Sequence, residues 1–304
     1  MTQTALLTAD GANRTGAATK SRLPCRVRQW ELVEFAAAGS LARIYRARPV
    51  GASVDQPAGY AVKMLRPEWQ HDPDAIRLLQ REALVGRIVS DPHLAPVLAT
   101  AVSEPPRLLV MPWLAGASVR MRLDAGQQFD GSDTLWIARQ AAEALDALHR
   151  AGWMHGDVSP GNIHVSPSGH VTLIDLSFAR RRDETGSAAD RPVTGTFYYI
   201  APEHITSSLA ADIRSDIYSL GAVMFEMLCG RTPFAGKDIA EVAVAHRELA
   251  PPDLRRFAPQ VPCEVVHLVR QMLSKNPLRR PQTPRELIDR LVRLEIGEFS
   301  ARAC

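Results

Sequence analysis

His155-Gly156-Asp157-Val158-Ser159-Pro160-Gly161-Asn162-Ile163 is the stretch that decides how this chain is read. An acid stands five positions before an amide, and a second acid, Asp175, follows the apolar run Val171-Thr172-Leu173-Ile174. That order suits phosphoryl transfer. One carboxylate takes the proton of an attacking hydroxyl, while an amide oxygen and the other carboxylate are hard oxygen ligands suited to Mg²⁺ on nucleotide phosphates. A surface turn would also explain Pro160-Gly161. It would not explain why a buried-looking strand ending in an acid comes next.

Composition narrows the setting. With 304 residues and 46% hydrophobic content, the chain can build one large domain or two packed lobes with a sizeable core. A net charge of +3 argues against a nucleic-acid or membrane-surface binder. Cys25, Cys229, Cys263 and Cys304 are scattered without a CxxC pair, which points away from zinc and disulfides and toward a reducing cytoplasm. No apolar run of about 18 residues is present, so no membrane span is expected. The first ~25 residues, rich in Thr, Ala and Gly, read as a flexible tail.

Upstream of the opening stretch the pattern is strand-rich. Trp30 to Arg48 reads as two strands and Tyr60-Ala61-Val62-Lys63-Met64-Leu65 as a third. Asp72 to Val89 reads as a helix with a stripe of Ile76, Leu79, Ala83, Val85 and Ile88. Arg107 to Met111 is a further strand. Downstream, helices dominate. Ser132 to Ala151 carries Leu135, Ala138, Ala142, Leu145 and Leu148 on one face, and Ile213 to Cys229 is apolar nearly all round, as a buried helix would be. Thr283-Pro284-Arg285-Glu286 has the form of a capping box. The expected fold is α+β and two-lobed, an antiparallel sheet plus one helix followed by a mainly helical lobe. Its expected parts are a tail over 1–27, a domain over 28–295 with lobes 28–111 and 114–295, and a C-terminal tail over 296–304.

These motifs, in this order, resemble the serine/threonine protein kinases of bacteria, from about Trp30 to Leu294. The resemblance implies that Lys63, in Ala61-Val62-Lys63, binds the α- and β-phosphates of ATP and is oriented by Glu82 on the following helix. It implies Asp157 as catalytic base, and Asn162 and Asp175 as ligands of Mg²⁺. Gly195-Thr196-Phe197-Tyr198-Tyr199-Ile200-Ala201-Pro202-Glu203 is similar to the end of an activation segment. By that likeness Thr196 helps place the acceptor hydroxyl, and Glu203 pairs with Arg280. Gly39, Ile44, Ala61, Met111, Trp113, Leu114 and His164 would line the nucleotide site, with Met111 as gatekeeper. Asp216 has two readings, a cap for the apolar helix and a holder of the catalytic-loop backbone. His155 is read as structural. The implied partners are protein substrates with Ser or Thr acceptors.

Several positions depart from the family. The Gly-x-Gly-x-x-Gly positions of the phosphate-covering loop fall on Ala37, Gly39 and Ala42, which predicts weaker ATP binding. Ser159 replaces a Lys near the γ-phosphate. Gly156 replaces the Arg that reads activation-loop phosphorylation, so activity is expected without it, even though Thr185, Ser187 and Thr194 are candidate phosphorylation sites. Asp175-Leu176-Ser177 replaces Asp-Phe-Gly, and Ser177 should restrict flipping of that segment. Gly86 is expected to leave a gap behind the site. His164 replaces an aliphatic residue under the adenine. Arg180-Arg181-Arg182 reads as a solvated basic run. Two alternatives stay open: a pseudokinase that binds nucleotide or acts as a scaffold, and a small-molecule phosphotransferase.

Overall fold

The computed structural model describes residues 23–302, apart from 54, 183, 185–196 and 206–210. Cys25–Val27 (β1), Trp30–Ala38 (β2), Ala42–Pro49 (β3), Tyr60–Leu65 (β4), Ala99–Ala101 (β5) and Leu108–Pro112 (β6) form an antiparallel sheet in the order β1-β2-β3-β4-β6-β5. Strand alternation divides its side chains between two faces. Leu32, Tyr45, Ala47, Val62 and Val110 form one apolar cluster. Leu65 and Leu109 pack instead with Ala75, Leu79 and Ala83 of Pro73–Ile88 (α1). Asp72 caps α1 by accepting from the Ala75 amide at 2.8 Å, with Pro73 as the first helical residue.

The second half is helical: Val119–Asp124 (α2), Gly131–Arg150 (α3), Pro202–Ile205 (α4), Ile213–Cys229 (α5), Ile239–Glu248 (α6), Cys263–Met272 (α7) and Pro284–Arg302 (α8). Helix α5 is buried along nearly all its length, and Gly230 ends it in the left-handed region at φ +67. Short strands carry the loops of interest. Trp153–Met154 (β8) pairs with Arg180–Arg181 (β11). Ile163–Val165 (β9) lies between Ala117–Ser118 (β7) and Val171–Leu173 (β10).

Some local expectations are corrected. Residues 25–27, read as tail, form β1 because Cys25 and Val27 pair with Leu32 and Trp30. Ile88 is exposed at the end of α1, and Val89 just beyond it is buried instead. Asp212, not Asp216, caps α5, accepting from the Arg214 amide at 2.9 Å. The capping box of α8 is only half formed: Thr283 Oγ1 accepts from the Glu286 amide, but the Glu286 carboxylate reaches the Gln282 amide. The basic run is solvated as expected, with Arg181 and Arg182 exposed, and it also makes surface contacts. Arg181 lies over the Trp153 ring and Arg182 contacts the His149 ring.

Candidate active site

Alternation along β4 turns Lys63 away from Val62 and toward α1. Its ammonium lies 2.6 Å from Glu82 Oε2 and 2.9 Å from Asp175 Oδ1. Glu82 is almost fully buried, whereas Asp175 is about a third exposed, at 34% of its side-chain surface. One cation thus serves two carboxylates unequally. Burial alone would lower the Lys63 pKa, but the charges of Asp175 and Glu82 outweigh it and the ammonium is held well above its ordinary range. Burial pushes Glu82 up to about 7 against the pull of Lys63. Asp175 would also be raised by burial, yet Lys63 and two bonds from Ser177 bring it down to about 2.

The sign of this shift can be tested. A carboxyl whose folded pKa is raised stabilises the fold most below its unfolded pKa, and that contribution is lost as pH rises through the folded value. Glu82→Gln keeps the shape and cannot ionise. Wild type is therefore expected to lose stability relative to Glu82→Gln as pH rises from 4.5 to about 7. Asp175 titrates below this window, and Asp216 contributes equally to both proteins. Urea denaturation across pH checks this; parallel curves would refute it.

The loop between β8 and β9 carries Asp157 and Asn162. Its start is fixed by the buried Asp216, whose carboxylate accepts from the His155 amide at 2.7 Å and the Gly156 amide at 2.9 Å. The holding role of Asp216 thus stands and the capping role does not. Burial raises Asp216 to about 7 despite those two bonds. Gly156 adopts φ +80, and a Cβ built there would lie 2.4 Å from the Phe178 carbonyl oxygen. His155 is wholly buried. Its Nε2 donates to the Ile174 carbonyl at 3.1 Å, and its Nδ1 accepts from the Asp157 amide at 3.2 Å. Burial lowers its pKa to about 4, so the ring is neutral and serves the loop as a brace.

Asn162 Nδ2 donates to the Asp157 carbonyl at 2.8 Å and to Asp157 Oδ2 at 2.9 Å. This commits the amide nitrogen and orients the amide oxygen as the remaining donor atom. The Asn162 carbonyl accepts from the Ile174 amide at 2.9 Å, which joins the loop to the Asp175 segment. Asp175 itself stands at φ +65, a left-handed conformation that a non-glycine residue rarely adopts. Ser177 donates to its Oδ1 through Oγ at 2.7 Å and more weakly through its amide at 3.3 Å. Ser177 therefore ties down the acid it follows, beyond the stiffening expected of it.

Among the residues expected to line a nucleotide site, Ala61 pairs with Met111 across β4 and β6, and Ile44 lies opposite Lys63 on β3. The Trp113 amide donates to the Gly59 carbonyl at 2.9 Å. His164 Nε2 donates to the Ala115 carbonyl at 3.2 Å, which anchors the ring to the segment leading from Leu114. The turn joining β2 to β3 closes through the Gly39 amide on the Ala42 carbonyl at 2.8 Å. Sequence reading missed its support: Trp69 Nε1 donates to the Ser40 carbonyl at 3.0 Å, and Arg66 reaches the Gly39 and Ser40 carbonyls at 3.4 Å. Contacts 26 to 29 residues apart in sequence leave no local pattern to read. Thr196, Thr185, Ser187 and Thr194 lie outside the described residues.

The gap expected at Gly86 is absent. Val97 packs onto this glycine, and an added Cβ would fall 2.6 Å from Val97 Cγ2. Gly86→Ala is expected to cost about 1–3 kcal/mol by overpacking, part of which Val97→Ala relieves. Denaturation of both single variants and the double variant checks this; simple additivity would count against the contact.

Behind the loop, Glu203 and Arg280 form a fully buried bidentate pair at 2.6 and 2.9 Å, and Ser215 Oγ adds a 2.6 Å bond to Glu203 Oε1. The burial cost is outweighed by these bonds, and Glu203 is held below its ordinary pKa.

Among the described residues there is no cluster of three or more His, Cys, Asp or Glu side chains able to hold a metal by themselves. Asn162 and Asp175 are two hard oxygen donors, the small protein share that Mg²⁺ accepts when phosphate oxygens and water complete its shell. The donor set fits that ion.

Comparison with known proteins agrees with this geometry. The model of the protein kinase domain matches residues 37–291. The chain is 32% identical over 277 residues to serine/threonine-protein kinase PknB of Mycolicibacterium smegmatis, covering 89% of this chain and 43% of that protein. It is 26% identical over 259 residues to serine/threonine-protein kinase PrkC of Bacillus subtilis, covering 85% of this chain and 39% of that protein. It thus spans less than half the length of these relatives. No helix among the described residues is long and apolar enough to cross a membrane. An ion-paired strand lysine, a braced Asp–Asn loop and a family match across most of the sequence lead to one conclusion: the chain belongs to the protein kinase family.

Proposed function

We propose that the chain transfers the γ-phosphate of ATP to Ser or Thr hydroxyls of protein substrates, with Mg²⁺, in the cytoplasm. The observation that carries this reading is Lys63 held between Glu82 and Asp175, with Asp175 joined through Ile174 to the loop bearing Asp157 and Asn162. In this reading Lys63 binds the α- and β-phosphates and Glu82 fixes its place. Asn162 and Asp175 hold Mg²⁺, which neutralises charge on the phosphates when bound. Asp157, oriented by the Asn162 amide, accepts the proton of the acceptor hydroxyl. Thr196 assists in placing that hydroxyl. Gly39, Ile44, Ala61, Met111, Trp113, Leu114 and His164 enclose the nucleotide. Most of the rate comes from positioning and charge stabilisation. The catalytic domain begins with β1 and closes on α8, which stays helical to Arg302, past the boundary at 295 expected from the sequence.

The test is Mg-ATP phosphorylation of a generic basic protein. Incorporation of phosphate on Ser or Thr supports the reading. Nucleotide-induced stabilisation without any transfer favours the scaffold alternative, for which the glycine-poor turn at Ala37, Gly39 and Ala42 is the specific observation. Because Gly156 supplies no cation to read a phosphate, replacing Thr185, Ser187 and Thr194 together by Ala is expected to leave the rate within a few-fold. A collapse in rate would overturn that expectation.

A further inference from the structure

His246 sits on α6, outside every motif that identifies the chain, yet it is wholly buried and both ring nitrogens are used. Nε2 lies 3.0 Å from the Tyr198 carbonyl oxygen, and Nδ1 lies 3.0 Å from the Tyr218 hydroxyl. A carbonyl can only accept, so Nε2 carries the hydrogen, and Nδ1 accepts a hydrogen bond from the Tyr218 hydroxyl. Burial, reinforced by the Lys275 charge, holds the pKa down to about 4, so the ring is neutral and this tautomer is fixed. The site is closed from behind. Lys275 Nζ donates to the His246 carbonyl at 2.6 Å and to the Tyr218 hydroxyl at 3.3 Å, and the Phe234 ring meets the imidazole edge-on at 4.8 Å.

What this assembly holds is the backbone of Tyr198. The Tyr198 side chain is 45% exposed, so core packing does not fix its position. Tyr198 and Tyr199 help line a cavity of about 570 Å³ that is also lined by Ser159, Pro160 and Gly161, two to four residues beyond Asp157. On the Tyr199 side the wall is pinned separately, by its hydroxyl and Arg120 on Glu226. On the Tyr198 side the pin is His246.

We propose that His246 is a positioning residue for the protein substrate: by fixing the Tyr198 carbonyl it shapes the cavity beside the catalytic loop that receives the polypeptide flanking the acceptor hydroxyl. This rests on the protein kinase reading above. It separates two parts of the site, because His246 touches neither Lys63, Glu82 and Asp175 nor the Asp157–Asn162 pair.

The test compares His246→Leu, His246→Gln and wild type. Losing one buried hydrogen bond to the wall should raise the KM for a protein substrate on the order of tenfold in His246→Leu. KM for ATP should stay within about twofold, since nucleotide contacts lie elsewhere. His246→Gln keeps an N–H donor and should recover most of the loss. Hydrogen exchange over residues 197–205 supplies a readout independent of transfer, and faster exchange in His246→Leu, with slow exchange regained in His246→Gln, is expected. If wild type transfers no phosphate, the kinase reading fails and exchange alone decides the positioning role. Unchanged substrate KM, an equal loss in KM for ATP, no recovery in His246→Gln, or unchanged exchange in a folded His246→Leu would each overturn the proposal.

Discussion

Asp157→Asn is expected to lower the rate of phosphoryl transfer by about 10²–10⁴-fold, the range associated with a positioned general base. Nucleotide affinity should hardly change. The substitution keeps side-chain shape, and the new amide oxygen can still accept from Asn162 Nδ2, which now bonds Asp157 Oδ2 at 2.9 Å. The Lys63 pairing with Glu82 and Asp175 does not involve Asp157. The loss should therefore fall on the turnover number, with KM for ATP within about twofold. Single-turnover assays with nucleotide titration in parallel check both halves. A variant with near wild-type turnover would remove Asp157 from the proposed role, and a matching loss of nucleotide binding would make it a structural residue.

The second large effect concerns stability. Glu203→Ala should destabilise the domain by about 3–5 kcal/mol, because it leaves the Arg280 guanidinium buried without its carboxylate. The pair is sealed from water, at 2% and 0% side-chain exposure. Arg280 would keep bonds to the carbonyls of Arg214 and Ser274, and its place over the Tyr218 ring, but none of these neutralises its charge. In a domain of this size the melting temperature should fall by roughly 10 °C. Replacing both partners with apolar residues should cost less than removing Glu203 alone, since no orphan charge remains. Denaturation of the single and double variants measures this. A fall of under about 1 kcal/mol for Glu203→Ala would mean water reaches the pair.

What could be read from the sequence follows the range of the interactions. The strand bearing Lys63, the helix bearing Glu82, the apolar α5 and the Asp157–Asn162 loop were legible because each has a local signature: alternation, a helical stripe or a compact motif. The pairing of Lys63 with Glu82 was legible only through resemblance, since the two lie 19 residues apart. The errors share a cause. Gly86 read as a gap because Val97, which fills the space, is not its neighbour in any periodic pattern. Asp216 read as a cap because an acid at a helix start has that ordinary use, whereas its partners lie 60 residues upstream. The props beneath the β2–β3 turn and His246 beneath Tyr198 were invisible for the same reason.

Gly156 has a bearing on how this molecule can change over time. The carbonyl of Phe178 occupies the space into which any side chain at that position would project, and the backbone there is in a region that favours glycine. Placing an arginine here therefore needs more than one codon change. The turn carrying Phe178 must move as well, and that segment is tethered through Leu176 and Ser177 to Asp175. A single mutation toward phosphorylation-dependent control would disturb Asp175, the acid proposed to hold the metal, before it offered any regulatory gain. The present arrangement resists incremental change, because any side chain here and the Phe178 carbonyl compete for one space.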